Sequence, residues 1–273
     1  MRRLRFGDKL MRVRDEPEPP PDPASSSTAP ALVCIHGAGM SSVVWMDLVR
    51  RFAPARRVVA PDLPGHGQSD RWHEISIDGY RDAVGTVCAT LKLSRAILVG
   101  HSMGAAVALS CALAWPERVA GLVLLNGAAR LPVSESVMAL LERSLPTGPL
   151  GEKERIDRMP DALAELSFSP STPADLRARW QAVLLAAERE VVLDDFRACG
   201  RFDVREQLPG LATRRIPTLL VSGRDDLLVP TGAVAKTAAL LPGSRHVVIE
   251  GSGHLSHLEQ PAAFYTHLEE FLR

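Results

Sequence analysis

The 273-residue chain has no excess of either charge: 32 Lys and Arg stand against 32 Asp and Glu. That balance argues against a basic face for nucleic acid and an acidic face for a cationic partner. It also removes net charge as a means of drawing in a charged substrate from a distance. Cysteine is scarce. Cys34, Cys88, Cys111 and Cys199 lie far apart, with no C-x-x-C pair and no zinc-like spacing. Cys34 and Cys111 fall inside expected core segments, so the cysteines read as reduced, buried thiols of an intracellular protein. No apolar run approaches membrane-spanning length. The basic start, Met1 to Arg5, is followed by no apolar signal core. Internal repeats and metal-ligand clusters are missing as well. A cytoplasmic protein with no nucleic-acid or membrane partner is expected, and its oligomeric state is not legible in the sequence.

What the chain does have is a 46% hydrophobic composition, enough for a sizeable core. Residues 2–14 alternate apolar and basic positions around Gly7-Asp8 and suggest a small hairpin. Residues 15–30 are rich in proline, serine and acid and read as a flexible loop. Short apolar strands are then expected at 31–35, 57–60, 96–99, 119–125, 217–221 and 246–249. Between and after them come helices near 42–53, 75–91, 105–115, 231–241 and 260–272. Strand and helix alternate and the strands are apolar throughout. The fold class is therefore α/β, a mostly parallel sheet with helices on both faces. Residues 131–210 break the alternation: no convincing strand appears, and Pro146, Pro149, Pro160, Pro170 and Pro173 divide the stretch into several helices. One helix carries an apolar stripe of Leu176, Trp180, Val183, Leu184 and Ala187. The expected organisation is a core of 1–130 and 211–273 with an all-helical lid, 131–210, inserted between.

The chemistry centres on Gly100-His101-Ser102-Met103-Gly104, a G-x-S-x-G sequence between an apolar strand and a helix. Strand, tight turn, helix is the context of a nucleophile elbow. The turn pushes the serine out above the sheet edge, and the glycines stand where a Cβ would collide with the crossing strand and helix. A serine hydroxyl needs an adjacent base, and histidine serves near neutral pH. His254 stands just beyond the last strand, on the carboxyl-end edge where ligands of such sheets bind; His257, one turn on, is its rival. His36, His66 and His101 sit in motif loops and read as structural, while His73, His246 and His267 have no motif context. The histidine needs a carboxylate to fix its tautomer, and Asp225 or Asp226 follows the strand at 217–221. The oxyanion needs two N–H donors. The backbone of Met103 is one candidate, and the other is Ala38, from the His36-Gly37-Ala38-Gly39 loop.

These motifs together resemble the α/β-hydrolase family in its lid-bearing branch. The resemblance spans nearly the whole chain: the His36-Gly37 loop, Asp62-x-Pro64-Gly65-x-Gly67-x-Ser69, the elbow, Gly223-x-x-Asp226-x-x-x-Pro230, and Gly253-His254 with Glu259 and Pro261. The family pattern implies Asp226 as the acid, with Asp225 as the runner-up. Some relatives carry the acid after the sixth strand instead, where this chain has Asn126. The Asp62 loop is usually structural in the family. Relatives that open epoxides or remove halides use an aspartate where Ser102 stands, which disfavours both reactions. No cofactor and no metal are implied.

The resemblance thus implies a serine hydrolase of a carboxylic ester, with a small-molecule substrate that is small to medium and largely apolar. Ser102 would attack, His254 would carry the proton and Asp226 would orient His254. A lactonase, thioesterase, C–C bond hydrolase, acyltransferase or cofactor-free perhydrolase would use much the same residues. From another class, a small-molecule receptor with vestigial hydrolysis stays open. Met40, Trp72, Phe168 and Trp180 are candidate substrate-binding residues, with core packing as the competing reading of each.

Overall fold

A computed structural model describes residues 1–16, 29–72, 75–131, 133–143 and 163–273. Eight strands form one sheet: β1 (Arg2–Phe6), β2 (Lys9–Glu16), β3 (Ala31–Ile35), β4 (Val58–Pro61), β5 (Ala96–His101), β6 (Val119–Leu125), β7 (Thr218–Gly223) and β8 (Arg245–Ile249). Their spatial order is β1-β2-β4-β3-β5-β6-β7-β8. β2 runs antiparallel to both β1 and β4, and every pairing from β4 to β8 is parallel.

The central strands are apolar at every position because both faces are covered. Successive side chains of a strand point to opposite faces. Val33 and Ile35 join Leu98, Leu122, Leu124 and Leu220 in one core, covered by the helices Ile77–Thr90, Met103–Ala114 and Thr231–Ala239. Leu32 and Cys34 join Val99, Val123 and Val221 in the other, under the helices Met46–Phe52 and Pro261–Leu272. Helices thus lie on both faces, as the alternation of apolar strands implies. No helix among the described residues is long and apolar enough to cross a membrane.

The sheet edge at the N-terminus differs from the sequence expectation. Residues 15 and 16 read as the start of a loop, yet β2 continues through Asp15 and Glu16, which pair with Val59 and Val58. The reason is electrostatic. Arg57 grips the buried Asp15 carboxylate with two hydrogen bonds of 2.7 and 2.8 Å, and Arg2 lies 3.2 Å away. A paired carboxylate tolerates a sheet position that an unpaired one would not. Residues 17–28 of the expected loop lie outside the described residues, as do Pro146, Pro149, Pro160 and His73.

Between β6 and β7 the described residues form the helices Glu135–Arg143, Ala174–Leu185, Arg189–Arg201 and Leu208–Ala212. The first and third pack together through Val137, Leu141, Val192 and Leu193. One isolated bridge, Arg130 to Asp203, closes the segment back toward the sheet.

Candidate active site

The loops after β3, β5, β6, β7 and β8 all leave the sheet at its carboxyl-end edge. β5 sits centrally, so Ser102 at its end has the β3 loop on one side and the ends of β6, β7 and β8 on the other. Ser102 has φ 54° and ψ −118°, a left-handed conformation that an L-residue adopts at a cost of about 1–3 kcal/mol. Its surroundings enforce it. A Cβ on Gly100 would strike the carbonyl of Gly104, and one on Gly104 would strike the carbonyl of Ile35 in β3. Only glycine at both places lets strand and helix cross this closely. The Ser102 amide donates to the Leu125 carbonyl of β6 over 2.9 Å, which ties the turn to the neighbouring strand.

Met103 is the first residue of the helix behind Ser102, Met103–Ala114. Amides of a first helical turn have no partner four residues back and point forward, toward the site. The β3 loop comes within contact of the elbow: a Cβ on Gly37 would lie 2.9 Å from His101 Nδ1 and 3.2 Å from Ser102 Cβ. The Met40 amide donates to the Gly37 carbonyl over 3.2 Å, turning the chain around Ala38.

His254 and Ser102 line one cavity. His254 Nδ1 donates to Asp226 Oδ2 over 2.8 Å, which leaves Nε2 as the basic nitrogen. Asp226 Oδ1 accepts the amides of Leu228 and Val229, each at 2.9 Å, and Oδ2 also accepts from Asn126 Nδ2 at 2.9 Å. Four donors hold this buried carboxylate. Asp225 faces elsewhere: its Oδ2 accepts from Ser169 Oγ over 2.6 Å. The His254 loop is fixed on both sides, because Glu259 Oε1 accepts the amides of Gly253 (3.0 Å) and Leu255 (3.1 Å).

The other histidines take different places. Burial holds His257 down to about 3, and its ring stacks on Trp45 with centroids 4.9 Å apart, so it remains neutral and lies away from the cavity lining. His101 is also held well below its ordinary value, first by burial and then by its neighbours His254 and His257; its Nε2 donates to the His254 carbonyl over 2.8 Å. His36 Nε2 accepts the Leu63 amide at 3.0 Å and Nδ1 donates to the Gly37 carbonyl at 2.9 Å, while burial and then His66 hold it down to about 3. Asp62 organises its own loop by accepting the amides of Ser42 (2.8 Å) and Gln68 (3.2 Å).

The cavity wall is apolar. Leu131, Val133, Val137, Leu163, Phe168, Trp180, Val183 and Phe196 come from the segment between β6 and β7 and its entry, and Ala38, Met40, Leu228, Val229 and Leu255 from core loops. Ser102, Ser167, Cys199 and His254 are its polar members among the described residues. Burial raises the Cys199 thiol well above its ordinary value, which leaves it a poor nucleophile. Of the four substrate-binding candidates, Met40, Phe168 and Trp180 line this cavity and Trp72 does not. Trp72 meets Phe6 of the hairpin edge-on, with centroids 6.3 Å apart and planes at 73°. The hairpin continues the sheet at that edge, and its Phe6 takes the tryptophan as a packing partner. Of the apolar stripe, Val183 joins Trp180 at the cavity, Ala187 lies past the helix end, and the side chain of Leu184 is outside the described part.

Sequence reading gave Asn126 no part in holding Asp226, although it stands at the end of β6 on the carboxyl-end edge. Its φ of 48° marks it: Asn tolerates the left-handed region better than most residues, and here the turn aims its amide at Asp226. Asp195 also escaped notice. No local signal announces that a helix carboxylate reaches the β3 loop.

A family model described as the alpha/beta hydrolase fold matches residues 30–261. A protein of Pseudomonas savastanoi pv. phaseolicola that bears the name carbamate hydrolase RutD is 31% identical over 255 residues, covering 89% of this chain and 94% of its own. A pimeloyl-[acyl-carrier protein] methyl ester esterase of Photobacterium profundum is 28% identical over 246 residues, with 89% and 94% covered. Among solved structures, the enol-lactonase of Burkholderia xenovorans LB400 superposes with a TM-score of 0.84 at 23% identity, covering 99% of each chain.

Proposed function

The chain belongs to the alpha/beta hydrolase fold family, and on that footing we propose that it is a serine hydrolase cleaving a carboxylic ester of a small to medium, largely apolar substrate. One observation carries the reading: a serine at a left-handed elbow shares an apolar cavity with a histidine whose far nitrogen is bound to a buried, four-donor carboxylate. In the reaction, His254 Nε2 takes the Ser102 proton as Oγ adds to the ester carbonyl. The Asp226 carboxylate keeps His254 in the tautomer that can do so and stabilises the imidazolium that forms. Negative charge on the carbonyl oxygen falls between the amides of Met103 and Ala38. His254 then returns the proton to the leaving alcohol, and water, deprotonated the same way, releases the acid and regenerates Ser102.

The segment from 131 to 210 acts as the lid of this site, since it supplies most of the apolar wall. The apolar wall suits the acyl chain of a neutral ester. The carbamate and methyl-ester names of the relatives also describe substrates with a carbonyl and a leaving group.

The test is a turnover screen of esters, thioesters, lactones and vinylogous diketones with wild type and Ser102→Ala. Short-acyl esters are expected to be hydrolysed, with the rate falling about a millionfold in the variant, because triad members act as a unit. A fluorophosphonate is expected to label wild type and not Ser102→Ala. Slow single-turnover hydrolysis of every compound would point to a receptor instead, and labelling of another serine with turnover intact would displace Ser102.

A further inference from the structure

Asp195 lies in the helix Arg189–Arg201, in the segment between β6 and β7, and its side chain is fully buried. It makes no contact within its own helix that would explain a carboxylate there. Its oxygens reach three groups of the core: Oδ2 accepts from His66 Nε2 at 2.7 Å and from the Gly39 amide at 2.9 Å, and Oδ1 accepts the Tyr80 hydroxyl at 2.6 Å. The second ring nitrogen of His66 faces the Pro64 carbonyl at 3.1 Å. Both nitrogens therefore face acceptors, an arrangement that favours the imidazolium form paired with the carboxylate. Burial pulls His66 down, but Asp195, together with the Pro64 carbonyl and Asp62, pushes it up, and the net direction is upward. Burial, reinforced by the same carboxylate, keeps the Tyr80 phenol protonated.

A buried ion pair of this kind is costly to assemble and is often replaceable by apolar residues without loss of stability. Stability alone is thus a weak account of its presence. Its position suggests another. Gly39 has φ +64°, a conformation that L side chains rarely adopt, and its amide donates to Asp195, which holds the turn in place. Ala38 is caught between Gly39, clamped by Asp195, and Gly37, which is pressed against His101 and Ser102.

We propose that Asp195 is a positioning residue for acyl transfer. Through the Gly39 amide it fixes the Ala38 amide at the point where charge develops on the substrate carbonyl oxygen. The oxyanion site is then assembled from the core and the inserted helices together, and it is complete only with the helix Arg189–Arg201 seated. This rests on the serine-hydrolase reading of Ser102. It predicts a loss in the transition state with little loss in ground-state binding, because the donor is displaced by tenths of an ångström while the apolar wall stays in place.

The experiment compares wild type, Asp195→Asn and Tyr80→Phe on a short-acyl ester, with a short alkylboronic acid as the tetrahedral adduct of Ser102. Asparagine keeps the shape but loses the charge that pairs with His66, and it brings one oxygen where His66, the Gly39 amide and the Tyr80 hydroxyl shared two. In folded Asp195→Asn, kcat is expected to fall about ten- to hundredfold with KM within about threefold, short of the loss on deleting a donor outright. Affinity for the boronic acid should fall by the same factor as kcat/KM. Tyr80→Phe removes one of the groups holding Asp195 and should show a smaller, parallel loss in both. It decides the question if Asp195→Asn does not fold. Two results overturn the proposal: turnover and boronate affinity within about twofold of wild type, or a fall in turnover with boronate affinity unchanged. A wild type that neither hydrolyses esters nor forms a Ser102 adduct overturns the hydrolase reading itself, and is seen before any variant is made.

Discussion

Two adjacent aspartates show how much depends on single side-chain directions. Asp226 faces His254 and Asn126, while Asp225 faces Ser169. Replacing the carboxylate behind the histidine with an amide leaves the shape but allows the wrong tautomer, as in triads elsewhere. Asp226→Asn is therefore expected to lower kcat on an ester by about ten-thousandfold. Asp225→Asn is expected to stay within about threefold, since it gives up only one bond to a serine hydroxyl. Steady-state kinetics of the two folded variants checks this. If Asp225→Asn were the damaging change, the carboxylate acting on His254 would be the other one. The same contrast holds for His254→Ala against His257→Ala, because His257 lies against Trp45 rather than at the cavity.

At the scale of elements, the segment between β6 and β7 meets the core through polar contacts on either side of the cavity, two of which bear on its loops. Asp195 reaches the β3 loop from above, and Glu259 reaches up to the Ser169 amide at 2.9 Å and the Thr172 hydroxyl at 2.5 Å while also holding the His254 loop. Between these contacts the segment presents Phe168, Trp180, Val183 and Phe196 to the cavity. If they act as a lid that selects substrate, changing their volume should alter acyl-length preference more than the chemistry. Phe168→Leu and Trp180→Phe are expected to shift the ranking of kcat/KM across an acyl series toward longer chains. The change on the smallest ester should be only a fewfold, because a methylene of fit in an apolar pocket is worth about 1–3 kcal/mol. Long-chain emulsions as the best wild-type substrates, or rankings that no such change alters, would show that these helices do not select the acyl group.

For the whole molecule, the buried histidines set how stability follows pH. His36 and His257 are held from an ordinary value of 6.5 down to about 3, both chiefly by burial. Below 6.5 the unfolded chain takes up protons that the folded protein refuses. Their contribution is thus present in full above about 6.5 and is lost as pH falls toward 3, at up to about 1.4 kcal/mol per pH unit for each group. His66 has the opposite sign. Its value is raised in the fold, so its contribution is present below 6.5 and is lost as pH rises through the raised value. Urea unfolding between pH 4 and 8 is expected to show a steep acid limb that His257→Phe makes shallower, since phenylalanine can stack on Trp45 without titrating. An unchanged limb in that variant would remove His257 from the account.

The sequence by itself determined the parts of this protein that depend on near neighbours. Apolar strands alternating with helices dictate a parallel sheet covered on both faces, because side-chain period and loop length are properties of a few consecutive residues. The elbow belongs in part to the same class: Gly100, Ser102 and Gly104 are close in sequence, and the crowding at Gly100 comes from the helix that follows, whereas Gly104 is held to glycine by the Ile35 carbonyl of β3. The chain order in which Ser102, Asp226 and His254 each stand just past a strand is readable for the same reason. What only the tertiary structure decided are pairings between residues distant in the chain. β2 extends through Asp15 because Arg57, on the adjoining strand's approach, neutralises it. Trp72 packs against Phe6 of the hairpin and lies outside the cavity lining. Asp226 and Asp225 have the same chemistry and adjacent places, and only the packing of their loop between β6, β8 and the inserted helices sends one to His254 and the other to Ser169. Asp195 meets Gly39, His66 and Tyr80 across the fold. A buried carboxylate is specified by its partners, and those partners become neighbours only when the chain has closed around them.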